Sequence, residues 1–331
     1  MPAAPPINET WAAMGRSLGS SSSHQEDAHL VKLLSRLQNR MVLMIGDSSL
    51  RNQFMQLARV GLSFPRATPV AEAVATSMYR GAFSLPGSIR QPERPDSSNG
   101  FWGGFPWLIA STPANATLMY AKVWGCPHLG DVMKRMKSTA LHHRQRTGYG
   151  GWPPHAVYWN FGLHLLHVFP ARPVPTMSIR CALNYEELVA SSARVLRAEV
   201  PAARLVYRTT NAVCDRRFDG PWAVAARAHH CASSARMGSC SGERLARVRQ
   251  GCRRRYNMTR SQCADTFMDE RNTRAQSQAA RVVLATHPAR VQVLDVFTLT
   301  TGRCDATVDG RHYPRLLATV NSRWLGDVLV W

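Results

Sequence analysis

Five apolar residues, Met41 to Ile45, run straight into Gly46-Asp47-Ser48, and Leu50, Phe54, Leu57 and Ala58 follow at helical spacing. The pattern predicts a buried strand, a tight corner and an amphipathic helix, which is the repeating unit of an α/β fold. Such a corner puts the Ser48 hydroxyl at the tip of the strand and at the positive end of the helix. The first backbone N–H groups of a helix have no partner inside it and can stabilise an oxyanion. Gly46 is expected to permit the sharp turn. By itself Gly-Asp-Ser is common and is also compatible with Ser48 acting only as a helix cap. A nucleophilic serine needs a base from elsewhere in the chain.

That base is available near the other end. Val291–Phe297 reads as a late strand, and a turn-rich stretch leads from it to Asp309-Gly310-Arg311-His312-Tyr313-Pro314. A serine nucleophile needs an imidazole to take its proton, and the imidazole needs a carboxylate to fix its tautomer. Three residues apart on a tight turn, Asp309 and His312 can lie side by side. Asp309-Gly310 taken alone is a turn signal of a solvated loop. Together the two segments supply a Ser/His/Asp set in the chain order Ser, Asp, His.

Beyond the bare tripeptide, the string Gly46-Asp47-Ser48-x-x-Arg51-Asn52-Gln53 and the C-terminal Asp309-x-x-His312 resemble the PC-esterase group. That group includes the plant trichome-birefringence-like proteins and belongs to the SGNH hydrolase superfamily. Ala156–His164 adds to the resemblance as a hydrophobic strand ending in Asn160-x-Gly162, where superfamily members place an oxyanion-hole asparagine. Leu205–Asn211, an apolar strand ending in polar residues, is a weaker match. The resemblance spans about residues 40 to 325. It implies a three-layer α/β/α domain of the SGNH-hydrolase kind, with a mainly parallel sheet, acting on acyl esters of carbohydrate. By position it implies Ser48 as nucleophile, Asp309 as carboxylate, His312 as base, and Asn160 as an oxyanion donor beside the Ser48 N–H. Gly162 and Arg51 join the oxyanion and substrate-binding set, although Arg51 can equally serve helix packing. Two positions depart from the plant members: Tyr313 stands where they usually carry Trp, and Leu163 separates Gly162 from His164. The departures leave the reaction class and weaken the case for plant cell-wall substrates.

The implied reaction is acyl transfer through an acyl-serine, with a polysaccharide O-acetyltransferase expected first. A carbohydrate acetylesterase follows, and a secreted glycan-binding module without turnover is the reading from another class. No cofactor is expected beyond an acetyl donor of unspecified chemistry, and no metal. His142, His143, His164 and His167 have no carboxylate or thiolate spaced to complete a metal site, so structural or solvated roles are expected of them.

The chain has 331 residues, 45% of them hydrophobic, enough for a full core. Strands are expected at Met41–Ile45, Leu118–Val123, Ala156–Phe161, Arg204–Tyr207 and Val291–Val296. Helices are expected at His29–Gln38, Leu50–Val60, Tyr185–Glu199, Asn272–Leu284 and Tyr313–Leu329. Residues 1–27 read as a flexible lead-in and 28–331 as one domain, with a cysteine-rich insertion at about 212–266. Ser138–Pro154 reads as irregular. In the loop Pro86–Gly100 and the aromatic run Phe101–Trp107, the rings either stack on sugar or form a buried cluster.

The net charge of +20 is almost all arginine, with lysine only at 32, 122, 134 and 137. The arginines are scattered, and no nucleic-acid module is recognisable, so nucleic acid is disfavoured as a partner. Eight cysteines, none spaced Cys-x-x-Cys, suit up to four disulfides whose connectivity the sequence leaves open. With the sequons at Asn8, Asn115 and Asn257 they point to the Golgi lumen or the cell exterior. No signal peptide or membrane-length apolar run is visible, so membrane association is expected only through an N-terminal anchor missing from this chain.

Overall fold

The computed structural model describes residues 22–62, 107–111, 116–123, 126, 128–147, 151–166, 181–214, 268–307 and 310–329. Six strands form one sheet: β1 (Met41–Gly46), β2 (Trp107–Ser111), β3 (Thr117–Lys122), β4 (Ala156–Trp159), β5 (Arg204–Arg208) and β6 (Val291–Leu294). Their spatial order is β2-β3-β1-β4-β5-β6. All neighbours are parallel except the edge pair β2–β3. In register, Ile45 lies between Ala121 of β3 and Trp159 of β4, and Trp159 in turn pairs with Tyr207 of β5.

Side chains alternate between the two faces, and both faces are covered. Leu43, Ile45, Val157, Trp159, Leu205 and Tyr207 point to one side. There they meet Val132, Met133 and Met136 of α3 (Leu129–Thr147), Val189 and Leu196 of α4 (Tyr185–Glu199), and Ala280 and Leu284 of α5 (Glu270–Ala285). Val42, Met44, Tyr158 and Val206 point to the other side. Their partners come from α1 (Ser22–Ser35), α2 (Ser48–Leu62) and α7 (Leu317–Leu329), among them Leu30, Leu34, Phe54, Leu57, Trp324 and Leu325. A mostly parallel sheet buried on both faces explains why β1 reads as an unbroken apolar run. The fold is the expected three-layer α/β/α domain.

Several boundaries differ from the sequence expectation. Helix α1 begins at Ser22, inside the stretch read as a flexible lead-in. Helix α3 occupies part of the stretch read as irregular and contains His142 and His143. Its apolar positions 132, 133, 136 and 140 form a proper stripe, but its last two turns are polar and hide it. Strand β2 begins at Trp107, the end of the aromatic run, and residues 86–106 lie outside the described residues. The last strand stops at Leu294 because the Asp295 carboxylate accepts from Thr298 N and caps a short helix, α6 (Val296–Thr300).

Two disulfides are formed, Cys126–Cys181 and Cys214–Cys304. The second ties the start of the cysteine-rich insertion to Cys304, outside it. The remaining cysteines, at 231, 240, 252 and 263, and the asparagines of the three sequons lie outside the described residues. The described residues stop at Cys214 and resume at Met268. Val213 and Met268 pack with Leu163 and Leu166 in a small apolar cluster of their own.

Helices α2 and α7 are joined through buried amides. Gln53 Nε2 donates to Asn321 Oδ1 (3.1 Å), and Asn321 Nδ2 donates to Gln56 Oε1 (2.7 Å) and Gln53 O (3.3 Å). Trp324 Nε1 donates to the same Asn321 oxygen (2.9 Å), and its indole stacks on Tyr158 at 4.7 Å. Asn321→Leu strands the Gln53 amide and the Trp324 N–H in the core, at about 1–3 kcal/mol per unsatisfied group. We expect the urea midpoint of this variant to fall with an unchanged m-value.

Candidate active site

After β1 the chain adds β2 at the edge and β3 next to β1 on one side of the sheet, and then β4, β5 and β6 on the other. The carboxyl ends of β1 and β4 therefore flank the switch point of an open α/β sheet, where a crevice for ligands arises. Ser48 follows β1 there, and Asn160–His164 follow β4.

Asp47 is the residue before α2; its Oδ1 accepts from Ser49 N (2.8 Å) and its carbonyl from Arg51 N (3.0 Å). Tyr120 of β3 braces the corner, its hydroxyl lying 2.9 Å from the carbonyl oxygens of both Gly46 and Asp47. The role of Gly46 differs from the expected one. Its backbone is not left-handed; a Cβ there would lie 2.1 Å from Asn160 Oδ1. The glycine makes room for the asparagine across the sheet.

Asn160 is 1% exposed, and its Oδ1 accepts from Asp47 N (3.3 Å). With the oxygen so engaged, Nδ2 is left buried without a hydrogen-bond partner. Unpaired buried donors are rare in folded proteins. The peptide after it is held firmly. The Phe161 carbonyl oxygen receives Tyr185 Oη (2.7 Å), Tyr207 Oη (3.1 Å) and Thr210 Oγ1 (3.4 Å). Gly162 has φ +154°, and a Cβ there would lie 2.0 Å from Thr210 Oγ1. Only glycine fits.

His312 reaches the same crevice from the segment before α7. Its Nε2 lies 2.7 Å from Ser48 Oγ, and both residues are buried. The segment is tied down on several sides: Gly310 O accepts from Cys214 N (2.6 Å), Arg311 O from Asn211 Nδ2 (2.7 Å), and Tyr313 Oη donates to Ala212 O (2.8 Å). Asn211 in turn is gripped by the buried guanidinium of Arg208. Gly310, at φ +78°, makes the turn expected there. Asp309 lies outside the described residues. Arg51 sits half-buried in the first turn of α2. Burial first, and the Arg51 charge second, push Lys122 down to about 8.

His164 was expected to be structural or solvated. The structure places its Nε2 3.3 Å from Ser48 Oγ. It lies four residues after Asn160, in the segment that follows β4, a spacing that carries no signal in the sequence. Removal from water pushes its imidazole down to about 3; nearby Asp47 opposes this, while Arg311, His312 and Lys122 reinforce it. Among the described residues, no group of three or more His, Cys, Asp or Glu side chains is gathered as a metal site.

No family model matches the chain, and no curated protein matches it. Among solved structures it is similar to a protein of Streptococcus pneumonia described as a candidate platelet activating factor. The two share 12% identity at a TM-score of 0.38, over 96% of this chain and 99% of that one. The site therefore rests on its own geometry.

A depressed histidine makes stability depend on pH in a defined direction. Below pH 6.5 the unfolded chain takes up a proton that folded His164 refuses until about pH 3. Stability therefore falls as pH drops through this window. We expect His164→Gln to flatten that part of a stability–pH curve measured by urea denaturation.

Proposed function

We propose that this chain is a serine acyltransferase that moves an acetyl group to a carbohydrate hydroxyl through an acetyl-serine. The observation that carries the reading is the 2.7 Å approach of His312 Nε2 to Ser48 Oγ at a helix N-terminus, together with the buried, unpartnered Asn160 Nδ2. The resemblance of Gly46–Gln53 and Asp309–His312 to the PC-esterase group supplies carbohydrate as the substrate class.

In the first half-reaction His312 Nε2 takes the Ser48 proton as Oγ attacks the acetyl carbonyl carbon. The oxyanion is received by the Ser48 backbone N–H and Asn160 Nδ2. His312 then returns the proton to the leaving group of the acetyl donor, and the ester of Ser48 remains. In the second half, His312 deprotonates a sugar hydroxyl, which attacks the acetyl-serine carbonyl; collapse frees Ser48, and the proton returns to its oxygen. Asp309, three residues before His312, is the carboxylate assigned to hold the imidazole tautomer. Water in place of the sugar turns the same sequence into an acetylesterase. Two disulfides and three sequons support a secretory compartment as its place of work.

The test is intact-protein mass spectrometry after mixing with p-nitrophenyl acetate. Wild type is expected to gain one acetyl group on Ser48, and Ser48→Ala none, with release of nitrophenol at least about 10³-fold slower. Oligosaccharide added to the acetylated protein is expected to remove the acetyl group faster than buffer does; equal rates would make the protein an esterase. Equal nitrophenol release from wild type and Ser48→Ala would leave the reading without a nucleophile. Gly46→Ala is expected to displace the Asn160 side chain and slow acetylation about 10²–10³-fold, the cost of one lost oxyanion donor, while the chain stays folded by circular dichroism.

A further inference from the structure

Ser48 Oγ lies between two imidazole nitrogens, His312 Nε2 at 2.7 Å and His164 Nε2 at 3.3 Å. A hydroxyl has one proton to give and lone pairs to receive. If both contacts are hydrogen bonds, one nitrogen accepts and the other donates. The shorter contact, to the histidine on the tethered segment before α7, suits the acceptor. His164 is then a donor, with the proton on Nε2.

We infer that His164 is a catalytic hydrogen-bond donor, whose Nε2–H steadies the Ser48 oxygen as it loses its proton and then shares the tetrahedral oxyanion with Asn160. The inference rests on the acyl-transfer reading of Ser48. Oγ and the oxyanion share one carbon in the tetrahedral intermediate, so a donor beside the first is close to the second. Asn160 and His164 also belong to one loop, whose peptide is fixed by the donors converging on the Phe161 carbonyl. Movement that carried one donor away would carry both.

Charge supports donation over proton transfer. With its imidazole pushed down to about 3, His164 stays neutral at ordinary pH and is a poor base. A cation so close would also oppose protonation of His312 during the reaction. The groups that act on His164 are Asp47 before α2, Lys122 at the end of β3, and Arg311 and His312 before α7. Neutrality leaves the ring able to donate without competing for the serine proton.

The experiment measures, across pH, the second-order rate at which a fluorophosphonate probe modifies Ser48, with the adduct located by mass spectrometry. His164→Ala and His164→Gln are compared with wild type, and each fold is checked by circular dichroism. We expect modification about 10²-fold slower in the alanine variant, the cost of one donor. The midpoint of the acidic limb stays in place, and glutamine, whose amide can offer an N–H, recovers at least about ten-fold. Three results overturn the inference: an unchanged rate in His164→Ala, loss of the acidic limb, which would make His164 the base, or a folded glutamine variant as slow as alanine. Wild type unmodified at Ser48 overturns the acyl-transfer reading, and this inference with it. Wild type modified, with His164→Ala equally fast, overturns this inference alone.

Discussion

Strands β1 and β4 lie side by side, and at their carboxyl ends the Asn160 side chain fills the space that a Cβ on Gly46 would need. This close approach sets the spacing of the whole crevice. It lets Asn160 Oδ1 meet Asp47 N, which turns the amide so that Nδ2 is left over. It also brings the loop carrying His164 up to the first turn of α2, where Ser48 sits. A side chain of any size at residue 46 would force the two strand ends or the amide apart. Much of the chemistry available to this chain thus depends on an atom that is not there.

The second requirement is that His312 meet Ser48 from far along the chain. Residues 48 and 312 are separated in sequence by nearly the whole domain, and two kinds of tie bring their segments together. Gln53, one helical turn beyond Ser48, is bonded to Asn321 on the helix that follows His312, so α2 and α7 share a buried polar joint. Cys214, bonded to Cys304, and Asn211 and Ala212 beside it hold the His312 segment against the end of β5. Gln53 belongs to the string that marks the PC-esterase resemblance, and the structure gives it a reason in packing: it is far from free to do anything but hold.

How much of this could be read beforehand depended on whether the signal was local. The central strands were legible because burial on both faces leaves only apolar residues, as in Met41–Ile45 and Ala156–Trp159. Helix α3 was not, because its buried stripe of Val132, Met133, Met136 and Ala140 is followed by two polar turns with His142-His143. The proximity of Ser48 and His312 followed from the order of motifs, whereas that of His164 did not. A histidine four residues past an asparagine carries no mark of its surroundings. Only the fixed loop of β4, with Gly162 at φ +154°, turns that spacing into contact with Ser48. The pairing of Cys214 with Cys304 was out of reach for the same reason, since cysteine spacing alone fixes no partner.

The small cluster of Leu163, Leu166, Val213 and Met268 has a consequence for how such a protein can change. It clasps together Val213 and Met268, which lie on either side of the stretch 215–267. Because the two ends are already pinned, doubling the length of what lies between adds only about 0.6 kcal/mol of closure entropy. The stretch between them can be lengthened, shortened or exchanged while the strands, the serine corner and the histidine segment keep their places. Selection can therefore work on this stretch as a replaceable part without rebuilding the strands and helices that frame the crevice.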